Sequence, residues 1–276
     1  MTINDIFVMM KNKIEKRNNM LLEEFDDHKQ AVINPSDCVQ AIKDMPKVAV
    51  SCFSFVTFER LCQELNAQPF AEVKMAHMKA DVYKAKYKGK DIALFLSFVG
   101  APSCVGVLED IFAMGVEKVV LFGTCGVLDE NIKDCSIIIP HTALRDEGTS
   151  FHYAPPSDEI KVNLQYKEEF INILNEYHCS YTEGKVWTTD GFYRETRQKV
   201  EQRKKQGCIC VEMECSAVGA LAQFREKDIF HFFYAADNLD HEQWDQRSLS
   251  NTANLLEKDR IALLAMELAG KMSEDI

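Results

Sequence analysis

The sequence predicts an α/β protein in which a mostly parallel or mixed β-sheet is covered by helices on both faces. From Lys47 onward, short β-rich apolar runs alternate with helical stretches. The runs are apolar at consecutive positions, the pattern of strands buried on both faces. Nothing divides the chain: it has no repeats, no low-complexity tracts and only 7 prolines, so its 276 residues read as one α/β domain with an extra segment in front.

That segment covers residues 1–45. "DIFVMMKNKIEKRNNMLLEEF" spaces its apolar residues as one face of an amphipathic helix, "INPSD" breaks the chain, and Pro46 precedes the first strand. The strands follow as "KVAVSCF", "IALFLSF", "KVVLFGT", "SIIIPHTAL", "KVWTTD", "CICVEME" and "IFHFFYAAD". Helices are expected between and after them over 55–66, 102–114, 161–177, 193–206, 216–226 and 251–272.

Composition narrows the function. With 46% hydrophobic and 27% charged residues, the chain can enclose a large core and a deep ligand site. A net charge of -11 argues against nucleic acid or an anionic membrane as partner, and no run approaches the ~20 apolar residues of a membrane span. The 10 cysteines are scattered, several of them in apolar runs (Cys52, Cys125, Cys208, Cys210), and no secretory pattern precedes them. Reduced core thiols in a cytoplasmic protein are expected. Cys208, Cys210 and Cys215 lack the paired CxxC spacing or nearby histidine of a zinc site, so no metal is expected.

In sheets of this kind ligands bind beyond the carboxyl ends of the strands, and four strand ends carry polar clusters. Gly123-Thr124-Cys125-Gly126 offers backbone amides and a hydroxyl to an anion, or else is a tight turn. Glu212 and Glu214 can accept hydrogen bonds from vicinal hydroxyls; alternatively one is a salt-bridge partner or caps the helix that follows. In a strict strand they face one way and Met213 the other, so a shared ligand requires a bend. Phe192 and Tyr193, after "TTDG", present flat apolar surface to a heteroaromatic ring or are core aromatics. Asp237 closes a very apolar strand, where desolvation would make it a proton donor, unless it is a helix cap. Together these parts suit cleavage of the glycosidic bond to a nucleobase.

"VEMECSA" (211–217) resembles the signature of the purine and uridine phosphorylase family. "FGTCGVLD" (122–129), "IIIPHTALRDEGTSFHYAP" (137–155) and "TTDGFYRE" (188–195) resemble its other landmarks, in the same order. The resemblance implies a three-layer α/β/α fold with a mixed, partly barrel-like sheet. It implies phosphorolysis of a nucleoside to free base and ribose 1-phosphate, with inorganic phosphate as co-substrate and no other cofactor. Met213 and Glu214 would hold the ribose with help from Glu212. Gly123 and Thr124 would hold phosphate, Phe192 would stack on the base with Tyr193 beside it, and Asp237 would protonate a purine at N7. A homo-oligomer, dimer or hexamer, is implied too.

The chain also departs from the family. "SCFSFVTFER" stands where a Gly-Asp-Pro-x-Arg-like loop would follow the first strand, and Leu121 stands where an arginine would precede the phosphate-binding residue. Among Lys74, His77 and Lys79 no residue clearly matches the arginine a neighbouring subunit would lend, and Arg60, Arg145 or a lysine are the candidate substitutes. A Gln-x-Arg pair typical of uridine enzymes is missing; Arg194, Thr196, Arg197 and Gln198 occupy that stretch, and Arg197 is the candidate for the base. Purine and uridine both remain open. A nucleosidase using water and a non-catalytic nucleoside sensor are the alternative functions.

Overall fold

A computed structural model describes residues 21–76, 79–250 and 252–275. In it ten strands form a single sheet. They are β1 (Val48–Cys52), β2 (Gln68–Lys74), β3 (Lys79–Tyr87), β4 (Lys90–Leu96), β5 (Lys118–Val127), β6 (Ile137–Asp146), β7 (Glu159–Lys161), β8 (Tyr181–Thr189), β9 (Cys208–Glu212) and β10 (Asp228–Asn238). The order is β10-β6-β8-β9-β5-β1-β4-β3-β2, with β7 beside β6. Because β10 also pairs with β5, the strands β5, β10, β6, β8 and β9 close into a ring, and β1, β4, β3 and β2 extend from it as an open wing. Parallel pairs (β1 with β4 and β5, β10 with β5) and antiparallel pairs (β10 with β6, β5 with β9) make the sheet mixed.

Side-chain alternation splits the core into layers. Val48, Val50, Val120, Phe122, Phe230 and Phe232 point to one face, against Phe58 of α2 (Phe55–Glu64), Phe170 of α4 (Lys167–Glu176) and Ile261, Leu264 and Leu268 of α7 (Leu255–Met272). Ala49, Val119 and Leu121 point to the other, against Leu108 and Ile111 of α3 (Ala101–Met114) and Ala217 and Leu221 of α6 (Cys215–Arg225). This is the three-layer α/β/α arrangement. A third cluster draws Cys125, Ile138, Val186, Cys210 and Phe233 from all five strands of the ring. All ten cysteines are free thiols, and none of the described helices is long and apolar enough to cross a membrane.

Several boundaries differ from the sequence expectation. Most of the amphipathic N-terminal helix falls outside the described residues; Leu21–Glu23 form a 3-10 turn. The "INPSD" break contains a helical turn, α1 (Pro35–Cys38), whose entry is fixed by the Asn34 N–H donating to Asp37 at 2.8 Å. Strands β2 and β3 were not anticipated, because charged residues occupy their open face and only Val73, Ala80, Val82 and Ala85 are buried. The helix expected over 161–177 starts at Lys167, since Asn163 and Tyr166 adopt left-handed backbone at φ 52 and 62. The one expected over 193–206 is broken into a 3-10 turn (Phe192–Arg194) and α5 (Arg197–Lys205), which Thr196 caps.

Candidate active site

The site arises where two strands diverge from one edge of β5. β1 pairs with β5 as far as Cys52 opposite Phe122, and β9 takes over that edge only at Gly126 opposite Val211. Between these points Gly123, Thr124 and Cys125 are paired only with β10. "GTCG" is therefore continuous strand and not a turn, and its unpaired edge leaves backbone groups for a ligand or water. A cavity of 690 Å³ opens here, lined among others by Thr124, Phe192, Tyr193, Arg197, Glu212, Met213, Glu214 and Asp237. A smaller one of 190 Å³ shares Phe53, Val99, Thr124 and Leu249 with it and adds Gly123.

The glycines serve their neighbours' side chains. A Cβ on Gly123 would lie 2.8 Å from Cδ2 of Phe53. On Gly126 it would lie 2.4 Å from Cδ1 of Leu239 and 3.2 Å from Oδ1 of Asp237. Both positions keep the cavity wall close-packed without filling its lumen.

The two glutamates part ways because β9 ends at Glu212 and the chain turns into α6. Glu212 accepts from the backbone N–H groups of Glu214 and Cys215, both at 2.7 Å, and from Thr188 Oγ1 at 2.5 Å. It thus tethers the opening of α6, satisfying donors that the helix itself cannot. Glu214 occupies the cap position, and its Oε1 accepts the Gly100 N–H at 2.6 Å, where α3 begins. Both residues are 5% exposed. Burial pushes both above the ordinary glutamate range, and the Glu212 charge pushes Glu214 further.

Asp237 lines the same cavity. The β10–β5 register slips between Ala235 and Asp237, a bulge that re-aims the carboxyl into the cavity. Trp244 Nε1 donates to its Oδ2 at 2.7 Å. Burial raises Asp237 above the usual aspartate range, with this hydrogen bond opposing the shift. Glu195 also lines the cavity, and burial followed by repulsion from Asp237 lifts it to about 7. Phe192 and Tyr193 stand at the mouth, 50% and 86% exposed with ring centroids 4.0 Å apart, so neither is a core aromatic. The Arg197 guanidinium lies on the wall, donating to the carbonyls of Leu239, His241 and Glu242.

Trp244 and Glu195 escaped the sequence reading. A tryptophan in the otherwise polar stretch "DHEQWDQRS" was the available signal for the first; Glu195 sat inside a stretch read as helix. Leu121, at the position of the missing arginine, is fully buried in the layer facing α3 and α6. Among the described residues, the one group of three potential ligands close enough for an ion is Asp26, Asp27 and His28, all exposed and outside both cavities.

Residues 47–266 match the family model described as the phosphorylase superfamily. A guanosine phosphorylase from Halorubrum lacusprofundi is 25% identical over 210 residues, 75% of this chain and 78% of that protein. A DeoD-type purine nucleoside phosphorylase from Bacillus cereus is 30% identical over 147 residues, 51% of this chain and 60% of that one. In fold, the chain is similar to a uridine phosphorylase from Vibrio fischeri (TM-score 0.72, 22% identity, 88% of this chain and 99% of that one). It is also similar to a purine nucleoside phosphorylase from Toxoplasma gondii solved with immucillin-H (TM-score 0.71, 17% identity, 86% and 98%).

Proposed function

The chain belongs to the phosphorylase superfamily, and on that premise we propose that it is a nucleoside phosphorylase acting on purine nucleosides, releasing the free base and ribose 1-phosphate. The supporting observation is that one cavity is lined by a buried carboxyl beside a methionine, Glu214 and Met213, and by a second buried carboxyl, Asp237. Glu214, anchored through Oε1 on Gly100, presents its other oxygen to the ribose hydroxyls. As the glycosidic bond breaks, positive charge builds on the sugar, and the Glu214 carboxyl, raised to about 8 by burial, stabilises it by accepting from the hydroxyls. Asp237, whose hold on its proton burial strengthens, donates to N7 of the leaving base. Phe192 and Tyr193 stack on that base at the mouth. Phosphate approaches the anomeric carbon from the side of Thr124 and the open edge of β5. The enzyme works as a cytoplasmic homo-oligomer.

Hydrolysis is the second reading. It is favoured by Leu121, a core residue where the family resemblance puts an arginine, and by Arg197, the one arginine lining the larger cavity, being committed to backbone carbonyls. One assay separates the two. Inosine, guanosine, adenosine and uridine are incubated with the protein, with and without phosphate, and the sugar product is identified. Ribose 1-phosphate formed only with phosphate, and faster from purine nucleosides, is expected. Free ribose formed regardless of phosphate would refute phosphorolysis.

A further inference from the structure

A phosphorylase must neutralise a phosphate anion, and the sequence removes the arginine expected to do so. The structure leaves few replacements. Arg60 is engaged by Asp259 away from both cavities. Arg145 is spent on Ser150, Ser157 and the carbonyls of Ala154 and Pro155. Lys74 and Lys79 pair with Glu72 and Asp81 on the exposed wing. Arg197 belongs to the wall near Asp237.

Lys258 differs from all of these. It lies in the first turn of α7, is 3% exposed, and is the sole cation among the described residues lining the smaller cavity. Cys52, Phe53, Ser54, Gly123 and Thr124 line the same space, the place where β1 leaves the edge of β5. Its Nζ donates to the carbonyls of Ser248 at 2.9 Å and Ser250 at 2.7 Å. An ammonium has three donors, so one remains unengaged among the described residues. No carboxylate among the described residues forms an ion pair with it. Asp134, the acid whose charge reaches it, is occupied by Ser248 Oγ at 2.6 Å and Asn254 Nδ2 at 3.0 Å. A buried cation without a counterion is costly, and an anion in the adjoining cavity would remove that cost.

We propose that Lys258 is the cation of the phosphate subsite, taking over from the arginine replaced by Leu121, with Thr124 and the unpaired backbone of Gly123–Cys125 as its neutral partners. The inference rests on the phosphorolytic reading. It also accounts for the distance in sequence between this charge and the strand motifs: Lys258 reaches the cavity from the opposite helical layer, through the sheet edge that β1 vacates.

The test compares Lys258→Met and Lys258→Arg with the wild type in phosphorolysis of inosine. Loss of one charge-assisted hydrogen bond predicts a phosphate KM raised roughly 10- to 100-fold in Lys258→Met. The inosine KM should stay within about 3-fold, a change of less than ~0.7 kcal/mol, and Lys258→Arg should recover much of the phosphate affinity. Thermal stabilisation by inorganic phosphate alone should vanish in Lys258→Met and persist in the wild type. Should Lys258→Met fail to fold, a crystal of the wild type with inorganic phosphate decides, the expected result being a phosphate oxygen within hydrogen-bond distance of Nζ. An unchanged phosphate KM, or phosphate seated away from Nζ, overturns the assignment while leaving phosphorolysis standing. Free ribose from the wild type whatever the phosphate concentration overturns phosphorolysis, and this assignment with it.

Discussion

Glu212 and Glu214 are two residues apart and do different work. Glu214→Ala should lower kcat/KM for the nucleoside by roughly 10²- to 10³-fold, the scale of losing one positioned charge-stabilising group; near-normal kinetics would remove it from the ribose site. Glu212→Gln can keep its carbonyl on the two N–H groups but turns its amide toward Thr188, whose hydroxyl now donates to that position, and should cost about 1–3 kcal/mol in a urea titration. At the base end the sign follows from Trp244. Its indole N–H favours the ionised form of Asp237, so Trp244→Phe should raise the aspartate further. If the protonated acid drives cleavage, purine activity falls as pH rises through that value. The alkaline limb of kcat/KM for inosine should therefore move to higher pH in Trp244→Phe, and an unmoved limb would detach Asp237 from proton donation. That these residues stand out was legible in the sequence, because a carboxyl at the end of an apolar strand needs a reason. Their separate duties were not, since hydrogen-bond partners such as Thr188 and Gly100 come from other strands and helices.

The elements translate these residues into geometry. A bulge in β10 aims Asp237, and Gly126 on the neighbouring strand gives its carboxyl room. Gly126→Ala should lower stability by about 1–3 kcal/mol through overpacking. Leu239 can shift at its tip, whereas Asp237 can move only by loosening its bond to Trp244, so purine turnover should also fall; unaltered kinetics and melting would mean the wall is softer than its contacts imply. Strands buried on both faces were readable as apolar runs, and seven of the ten were anticipated. β2 and β3 were missed because their pattern is half charged, and β7 because three residues carry no periodicity. The helix expected over 193–206 hid a break, and with it the place of Glu195 beside Asp237.

At the scale of the molecule, the ring of five strands gathers several buried carboxyls around one cavity, and this couples stability to pH. Glu195 ionises near 4.5 when unfolded and near 7 when folded. The folded state then holds a proton that the unfolded chain has released, so stability is fully present below about 4.5 and declines as pH rises toward about 7. The melting temperature of the wild type should fall more steeply over that window than that of Glu195→Gln, by differential scanning calorimetry; parallel curves would contradict the shift. The sequence by itself determined the alternation of strands and helices, the family and the order of its landmarks, and the candidate carboxyls, because hydrophobic pattern and motif are written locally. Only the tertiary structure decided which edge of β5 stays open, that Glu212 tethers a helix while Glu214 faces the cavity, that the glycines make room for Phe53 and Asp237, that Trp244 bonds Asp237, and that Lys258 lines the smaller cavity. These depend on contacts across long sequence separations, which exist only once β10 closes the ring and α7 packs across it.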